Sequence, residues 1–148
     1  MSGIDYHAIG AAIVTHLQGT LSSTTYLVTQ DITASLNQTI APVSICVLFN
    51  GFTHQESLGQ TNTPTRDASY LIGIVARGES DEIQDERLDD AVSEVEDACN
   101  TPGHGFPLFA YTTILLERSM VTSAAPKSVL EKKGLTTSMT VEIRIMED

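Results

Sequence analysis

The spacing of apolar residues near the N-terminus predicts an amphipathic helix. In residues 6–17, YHAIGAAIVTHL, apolar side chains recur at steps of three and four and form one face, which ends near Gly19. The face consists of Tyr6, Ile9, Ile13 and Leu17, with Ala12 beside them. Ser2 and Asp5 have the spacing of a capping box, so we expect them at the start of this helix.

Residues 81–99 predict a second helix with an apolar stripe and an acidic face. At about 100° per residue, five apolar side chains fall within about 80° of Leu88: Ala91, Val92, Val95, Ala98 and Cys99. The opposite arc carries seven carboxylates: Asp85, Glu86, Asp89, Asp90, Glu94, Glu96 and Asp97. Like charges four residues apart destabilise an isolated helix by about 0.2–0.5 kcal/mol per pair. Replacing Asp89, Asp90 and Glu94 with lysine should therefore leave stability unchanged or slightly higher.

Runs of β-branched and apolar residues predict five strands, at 24–33, 42–50, 68–78, 108–120 and 138–148. The third is almost wholly apolar, so it should be central in its sheet. The last alternates, with Met139, Val141, Ile143 and Ile145 on one face, as expected of a strand with one wet face. Residues 125–134 predict a short helix, because Pro126 stands in the first turn and Gly134 ends the segment.

These elements predict one α+β domain over residues 1–148. We expect a mixed, mostly antiparallel sheet of about five strands, with the N-terminal helix and the acidic helix packed on it. Residues 51–67 are rich in Gly, Thr, Asn and Gln and predict a long polar loop or an extended hairpin. Little apolar surface is available there. We therefore expect this segment to be mobile in the free subunit and ordered by a neighbouring chain, with Phe52 and Leu58 as anchors.

Composition excludes several classes of protein. The chain has 148 residues, 41% of them apolar, which suits a globular domain. No apolar run approaches the ~20 residues of a membrane span, and no secretory signal precedes the first helix. Cys46 and Cys99 lie in apolar patterns and are expected to be buried thiols, consistent with synthesis in a reducing cytoplasm. A net charge of −11 disfavours binding to nucleic acid phosphates.

The residue types that carry common chemistries do not converge in this sequence. The best calcium-loop register starts at Asp85, but it places Arg87 at a ligand position and Asp90 where glycine is needed. Four histidines lack a second His or Cys at metal-binding spacing: His7, His16, His54 and His104. No nucleophile elbow and no phosphate-binding glycine loop is present. We therefore expect no catalytic residues, no metal and no cofactor, in a protein that is not an enzyme.

Charge is segregated along the chain. Residues 80–100 hold nine of the nineteen carboxylates and one cation, whereas residues 118–134 hold four cations and one acid. This pattern favours head-to-tail association, in which the acidic face of one subunit meets a basic patch of the next. The candidate assembly interface is Phe52, His54, Leu58, Arg66, Arg118, Lys127, Lys132 and Lys133. The alternative for the acidic helix is a solvated face.

The order of these elements resembles the tail terminator and related head–tail joining (neck) proteins of long-tailed bacteriophages. Three segments carry the resemblance before a final strand: YHAIGAAIVTHL, ICVLFNGFTHQESLGQTNTPT and SYLIGIVARGESDEIQDERLDDAVSEVEDAC. The resemblance implies a subunit of a homohexameric ring that caps the tail tube and contacts the tube and neck proteins. DNA would pass through as unbound cargo. The protein would be made in the host cytoplasm and lie at the tail–neck junction of the virion, without a membrane partner.

The role of the acidic face remains open within this hypothesis. It could line the DNA path, where negative walls weaken contact with phosphates, or it could meet the basic residues 118–134 of a neighbour. Two other hypotheses remain. One is a small-molecule-binding module or enzyme with residues 51–67 as a lid, and the other is a different assembly part, such as a head-completion stopper.

Overall fold

The computed structural model describes residues 5–38, 40–55, 65–99, 114–130 and 134–147. Three helices and six strands occur in these ranges, in the following order. They are α1 (Tyr6–Thr20), β1 (Tyr26–Thr29), α2 (Ile32–Asn37), β2 (Val43–Gln55), β3 (Thr65–Ala76), α3 (Asp81–Cys99), β4 (Ile114–Ala124), β5 (Ser128–Leu130) and β6 (Gly134–Glu147). No helix among them is both long and apolar enough to cross a membrane.

The strands form one mixed sheet in the order β1-β2-β3-β6-β4, with β5 also paired to β6. β1 runs parallel to β2, and every other pairing is antiparallel. The α+β class and the mostly antiparallel sheet are therefore confirmed, with six strands in place of about five. β3 lies in the middle, as its apolar sequence predicts.

The core lies between one face of the sheet and the two long helices. α1 covers β1 and β2, and α3 covers β3 and β6. The buried sheet residues include Ile45, Ile72, Ile74, Val141 and Ile143. Each fully buried aliphatic side chain contributes about 1.5–3 kcal/mol to the free energy of unfolding. The packing of the helices on the sheet is therefore the main source of stability.

The predicted apolar faces of both helices are the buried ones. In α1 the buried apolar side chains are Ile9, Ile13, Val14 and Leu17, and in α3 they are Leu88, Ala91, Val95, Ala98 and Cys99. α3 spans the predicted residues. α1 begins one residue after Asp5, whose Oδ1 accepts a hydrogen bond of 3.0 Å from the Ala8 amide. Asp5 is thus the N-cap itself, whereas the sequence suggested it as the later member of a box that starts at Ser2.

The predicted strand at 24–33 is shorter, because a helix of six residues begins inside it. Asp31 ends the extended backbone by capping α2, where its Oδ1 accepts from the amides of Thr33 and Ala34 at 3.0 and 3.2 Å. At the other end, the Arg77 guanidinium donates to the carbonyl of Leu36 at 2.7 Å. A helix this short needs tertiary contacts to form, and these are not visible in its sequence.

The polar segment 51–67 is largely an extended hairpin in the described residues. β2 continues to Gln55 and β3 starts at Thr65, and these two residues are paired. Of the two predicted alternatives, a loop and an extended hairpin, the hairpin is the one formed at 51–55 and 65–67, because the backbone there is held by the antiparallel ladder. Residues 56–64, including Leu58, lie outside the described residues.

The predicted helix at 125–134 is also wrong where it is described. Residues 128–130 form β5, which pairs with Gly134–Thr136 of β6. β4 and β5 run along the same edge of β6 and are separated at residues 125–127, where Pro126 has no amide hydrogen to donate. Gly134 has a φ of 132°, and a Cβ there would lie 2.0 Å from the Ala76 carbonyl oxygen. Its glycine is required by this close approach and does not mark the end of a helix.

Candidate functional site

A β-bulge places two phenylalanines on the same face of the sheet. Phe49 pairs with Tyr70 and Phe52 pairs with Ala68, so a step of three residues in β2 faces a step of two in β3. Gly51, inside the bulge, has a φ of 100°, a conformation that side chains other than glycine rarely adopt. In a regular strand two residues three positions apart point to opposite faces, so the bulge is what brings Phe49 and Phe52 to the same face.

The first residue of α1 completes an aromatic cluster with these strands, which consists of Tyr6, Phe49, Phe52 and Tyr70. The Tyr6 ring stacks on Phe49 with centroids 4.3 Å apart and on Phe52 with centroids 5.4 Å apart. Tyr70 is fully buried, and its hydroxyl donates a hydrogen bond of 2.7 Å to the Tyr6 carbonyl. These contacts fix the position of α1 relative to the hairpin.

The aromatic cluster is buried at its base and open at its surface. Phe49 is 42% exposed and Phe52 is 45% exposed, although both rings stack on Tyr6. Large aromatic side chains held in fixed positions lose little conformational entropy on binding, and they are enriched among residues that dominate protein interfaces. The cluster is therefore a candidate contact surface.

The other predicted interface residues are only partly located. His54 and Arg66 are paired across the hairpin, and Arg118 is opposite Arg144 in the β4–β6 pairing. The side chains of His54, Arg66 and Arg118 lie outside the described part, as do residues Leu58, Lys132 and Lys133. Among the predicted interface residues with described side chains, Phe52 belongs to the exposed aromatic cluster.

Lys127 binds the acidic helix of its own chain. Its ammonium lies 2.5 Å from Asp85 Oδ1 and 2.7 Å from Asp89 Oδ1. Hydrogen bonds to these two carboxylates raise the pKa of Lys127. The sequence placed Lys127 in a basic patch for a neighbour, but in the single chain this cation already compensates one like-charged pair of α3.

The other predicted carboxylates of α3 are exposed, and two of them also line a cavity. Glu86, Glu96 and Asp97 are exposed. Asp90 and Glu94 line a cavity of about 310 Å³ between α3 and residues 22–26. The Tyr26 hydroxyl donates a hydrogen bond to Glu94 Oε2. Burial of Tyr26, together with this hydrogen bond and the nearby negative charge, raises the pKa of the phenol above its usual range.

All four cations with described side chains are bound within the chain. Besides Lys127, Arg77 donates to Ser44 Oγ and Leu36 O at 2.7 Å each, and Arg87 donates to the Arg77 carbonyl at 2.5 Å. Arg144 Nε donates to Asp67 Oδ1 at 2.9 Å. None of these four cations forms an ion pair with Asp90 or Glu94.

The described residues contain no group of three or more His, Cys, Asp or Glu that could hold a metal ion. Cys46 and Cys99 are buried, as predicted, and burial raises the pKa of both thiols, that of Cys99 to about 12. The ring of His16 lies in α1 with Nε2 2.9 Å from the Ala98 carbonyl, so it contributes to the contact between α1 and α3.

Compared with known protein families and with characterised proteins, the chain matches none of either.

Sequence reasoning missed most of the aromatic cluster and the Tyr26–Glu94 contact. The dipeptide Asn50-Gly51 between two phenylalanines was an available signal, because a glycine inside a strand often marks a bulge. No comparable signal links Tyr26 to Glu94, which are 68 residues apart.

Proposed function

We propose that this protein is a ring-forming subunit of the virion of a long-tailed bacteriophage, similar in role to the tail terminator. It caps the tail tube, joins it to the neck, and lets DNA pass through the ring. The same proposal makes the ring a homohexamer that contacts the tube protein and the neck proteins.

The aromatic cluster is the single observation that carries this proposal. A soluble domain rarely leaves several stacked aromatic rings exposed unless they contact another molecule. Phe49 and Phe52 sit at the base of a hairpin formed by the two longest paired strands before α3, so they are held rigidly. A rigid apolar surface of this kind suits a contact between identical subunits.

The charge of the chain supports the DNA part of the proposal. At −11 the subunit repels phosphates overall. A duplex moving through a ring of such subunits would meet weak, salt-sensitive repulsion and no specific binding.

Substitution of Phe52 tests the proposal. Phe52→Ser removes an exposed aromatic ring, so we expect a soluble, folded chain that no longer enters tail particles. Ile32→Ser is the matched control, because Ile32 is 51% exposed and lies at the start of α2, outside the aromatic cluster. The measurements are circular dichroism for folding and the amount of each variant in purified tail particles.

Incorporation of Phe52→Ser at the wild-type level would contradict a role of the aromatic cluster in assembly. If both variants failed to enter particles, the defect would not be specific to the cluster, and the proposal would lose its main support.

A further inference from the structure

The first turn of α1 is held by two side chains from the sheet. The Tyr70 hydroxyl donates to the Tyr6 carbonyl at 2.7 Å, and the Gln30 amide donates to the next carbonyl, that of His7, at 3.0 Å. A carbonyl oxygen has two lone pairs, so each of these oxygens can accept such a bond besides its helical bond. The two donors therefore form a clamp on this turn, the Gln30–Tyr70 clamp.

The clamp lies across the strand that carries the exposed rings. Gln30 directly follows β1, and Tyr70 is in β3. β2, with Phe49 and Phe52, lies between β1 and β3 in the sheet. The Tyr6 ring, on the clamped turn, stacks on both phenylalanine rings. A movement of the turn would therefore move the ring against which Phe49 and Phe52 are packed.

A glycine inside α1 makes room for the clamp. Gly10 is buried, and a Cβ at this position would lie 2.7 Å from the Gln30 amide nitrogen and 3.4 Å from the Tyr70 ring. Glycine destabilises a helix interior relative to alanine. It is nevertheless present where a side chain would displace Gln30 from the His7 carbonyl. Helix stability alone does not account for this glycine, whereas the clamp does.

The start of a helix needs such a clamp if it is to hold a ring in one place. Helix ends fray, because their terminal backbone groups lack helical partners. The bond from the Ala8 amide to Asp5 is internal to this end of the helix and does not tie the turn to the sheet. Without the clamp, the Tyr6 ring would be stacked on the phenylalanines for only part of the time. The apparent affinity for a partner falls with the fraction of molecules that are competent to bind.

We propose that Gln30 and Tyr70 are positioning residues for the contact between subunits, because they hold Tyr6 so that Phe49 and Phe52 are presented in one arrangement. This inference rests on the proposed function, in which the aromatic cluster is the contact surface. The clamp acts by preorganisation. It contributes to the affinity between copies through Tyr6 and not through bonds of its own to the neighbouring copy.

Removal of single donors tests the clamp. Tyr70→Phe removes the hydroxyl and Gln30→Met removes the amide, and each keeps a side chain of similar size. We expect each variant to enter tail particles several-fold less than the wild type. In the isolated full-length chain, nuclear Overhauser contacts between the Tyr6 and Phe52 rings should weaken in both variants.

Each variant has a matched control outside the cluster. Gln18, in the last turn of α1, donates its amide to the Val28 carbonyl at 3.0 Å, so Gln18→Met removes the same kind of bond. Tyr26→Phe removes the hydroxyl that donates to Glu94. Both controls should lower the Tm to an extent similar to the clamp variants, but keep incorporation and the ring contacts at wild-type values.

Gly10→Ala separates positioning from stability. Alanine favours the helix, but its Cβ displaces the Gln30 amide. We expect a Tm close to that of the wild type together with a several-fold loss of incorporation. Gly19→Ala, in open space in the same helix, should raise the Tm and keep incorporation unchanged.

Failure of the inference and failure of the proposed function are distinguishable. Equal losses of incorporation in the clamp and control variants, at equal Tm, would show a purely structural role and overturn the inference. Normal incorporation of Tyr70→Phe and Gln30→Met into particles that contain the wild-type chain would show that the inference alone is wrong. Absence of the wild-type chain from tail particles would show that the proposed function is wrong, and the inference with it.

Discussion

Lys127, between β4 and β5, binds Asp85 of α3 through an ammonium–carboxylate contact of 2.5 Å. The same ammonium reaches Asp89 one turn further along the helix. The contact divides the acidic face into a part compensated by Lys127 and a part, around Asp90 and Glu94, that forms no ion pair with a described cation. It also joins the far edge of the sheet to α3, and so links residues 42 positions apart.

Removing the Lys127 ammonium should weaken this link. We expect Lys127→Met to lower the Tm slightly at low salt and less at high salt, because exposed ion pairs contribute little and are screened. Since the folded chain raises the pKa of Lys127, its contribution should be full at neutral pH. It should disappear as the pH rises above the ordinary lysine range. In an Asp85→Asn, Asp89→Asn background the same substitution should have little effect on Tm, which serves as the control.

Gly51 should be intolerant of a side chain. Gly51→Ala forces a residue with a Cβ into a φ of 100°, so we expect a loss of about 1–2 kcal/mol in the free energy of unfolding. Urea denaturation measures it. Gly19→Ala is the contrasting control: Gly19 lies in the last turn of α1 with open space around it, and alanine should stabilise the helix by about 0.5–1 kcal/mol. Equal effects of both substitutions would contradict the assignment of the bulge.

Cys99 should make the protein less stable in alkali. Burial raises its pKa from 9.0 to about 12, so the folded state keeps the thiol proton to higher pH than the unfolded state. The stabilisation is complete below pH 9 and declines between pH 9 and 12, by at most about 1.4 kcal/mol per pH unit. Cys99→Ala should lower stability at neutral pH but flatten this decline. Native-state labelling with iodoacetamide should be slow, and labelling as fast as that of the unfolded chain would contradict the burial.

Shortening the hairpin separates folding from assembly. The ladder extends to the Gln55–Thr65 pair, so we expect a replacement of residues 56–64 by a two-residue Asn-Gly turn to keep the Tm nearly unchanged. The same change should abolish incorporation into tail particles, because it removes the predicted anchor Leu58. A large loss of Tm together with normal assembly would indicate that the segment stabilises its own subunit.

The sequence predicted those helices and strands that are stabilised mainly by the burial of their own side chains. α3 was located from its apolar stripe, and β6 from strict alternation, because burial on one face fixes the period in each case. α2 and β5 were missed because distant groups stabilise them. The Arg77 guanidinium binds the end of α2, and β6 supplies the pairing for β5.

The candidate site was predictable to a similar extent. Phe52 was identified from its place in the polar segment, and its partners Tyr6 and Tyr70 depended on the register of β2 and β3. The sequence also predicted that replacing Asp89, Asp90 and Glu94 with lysine would leave stability unchanged or slightly higher. The Lys127 ammonium lies 2.7 Å from Asp89 Oδ1. A lysine at position 89 would place two cations together, so we expect Asp89→Lys alone to lower stability.

The copy number and symmetry of the protein in tail particles test the central claim most directly. Cryo-electron microscopy should show a ring of six copies at the head-proximal end of the tube, with a mass of about 95 kDa, six times the 15.9 kDa of one chain. Phe52 should face a neighbouring copy in that ring. A single copy per particle, a closed dimer, or a ring in which the aromatic cluster faces solvent would contradict the account.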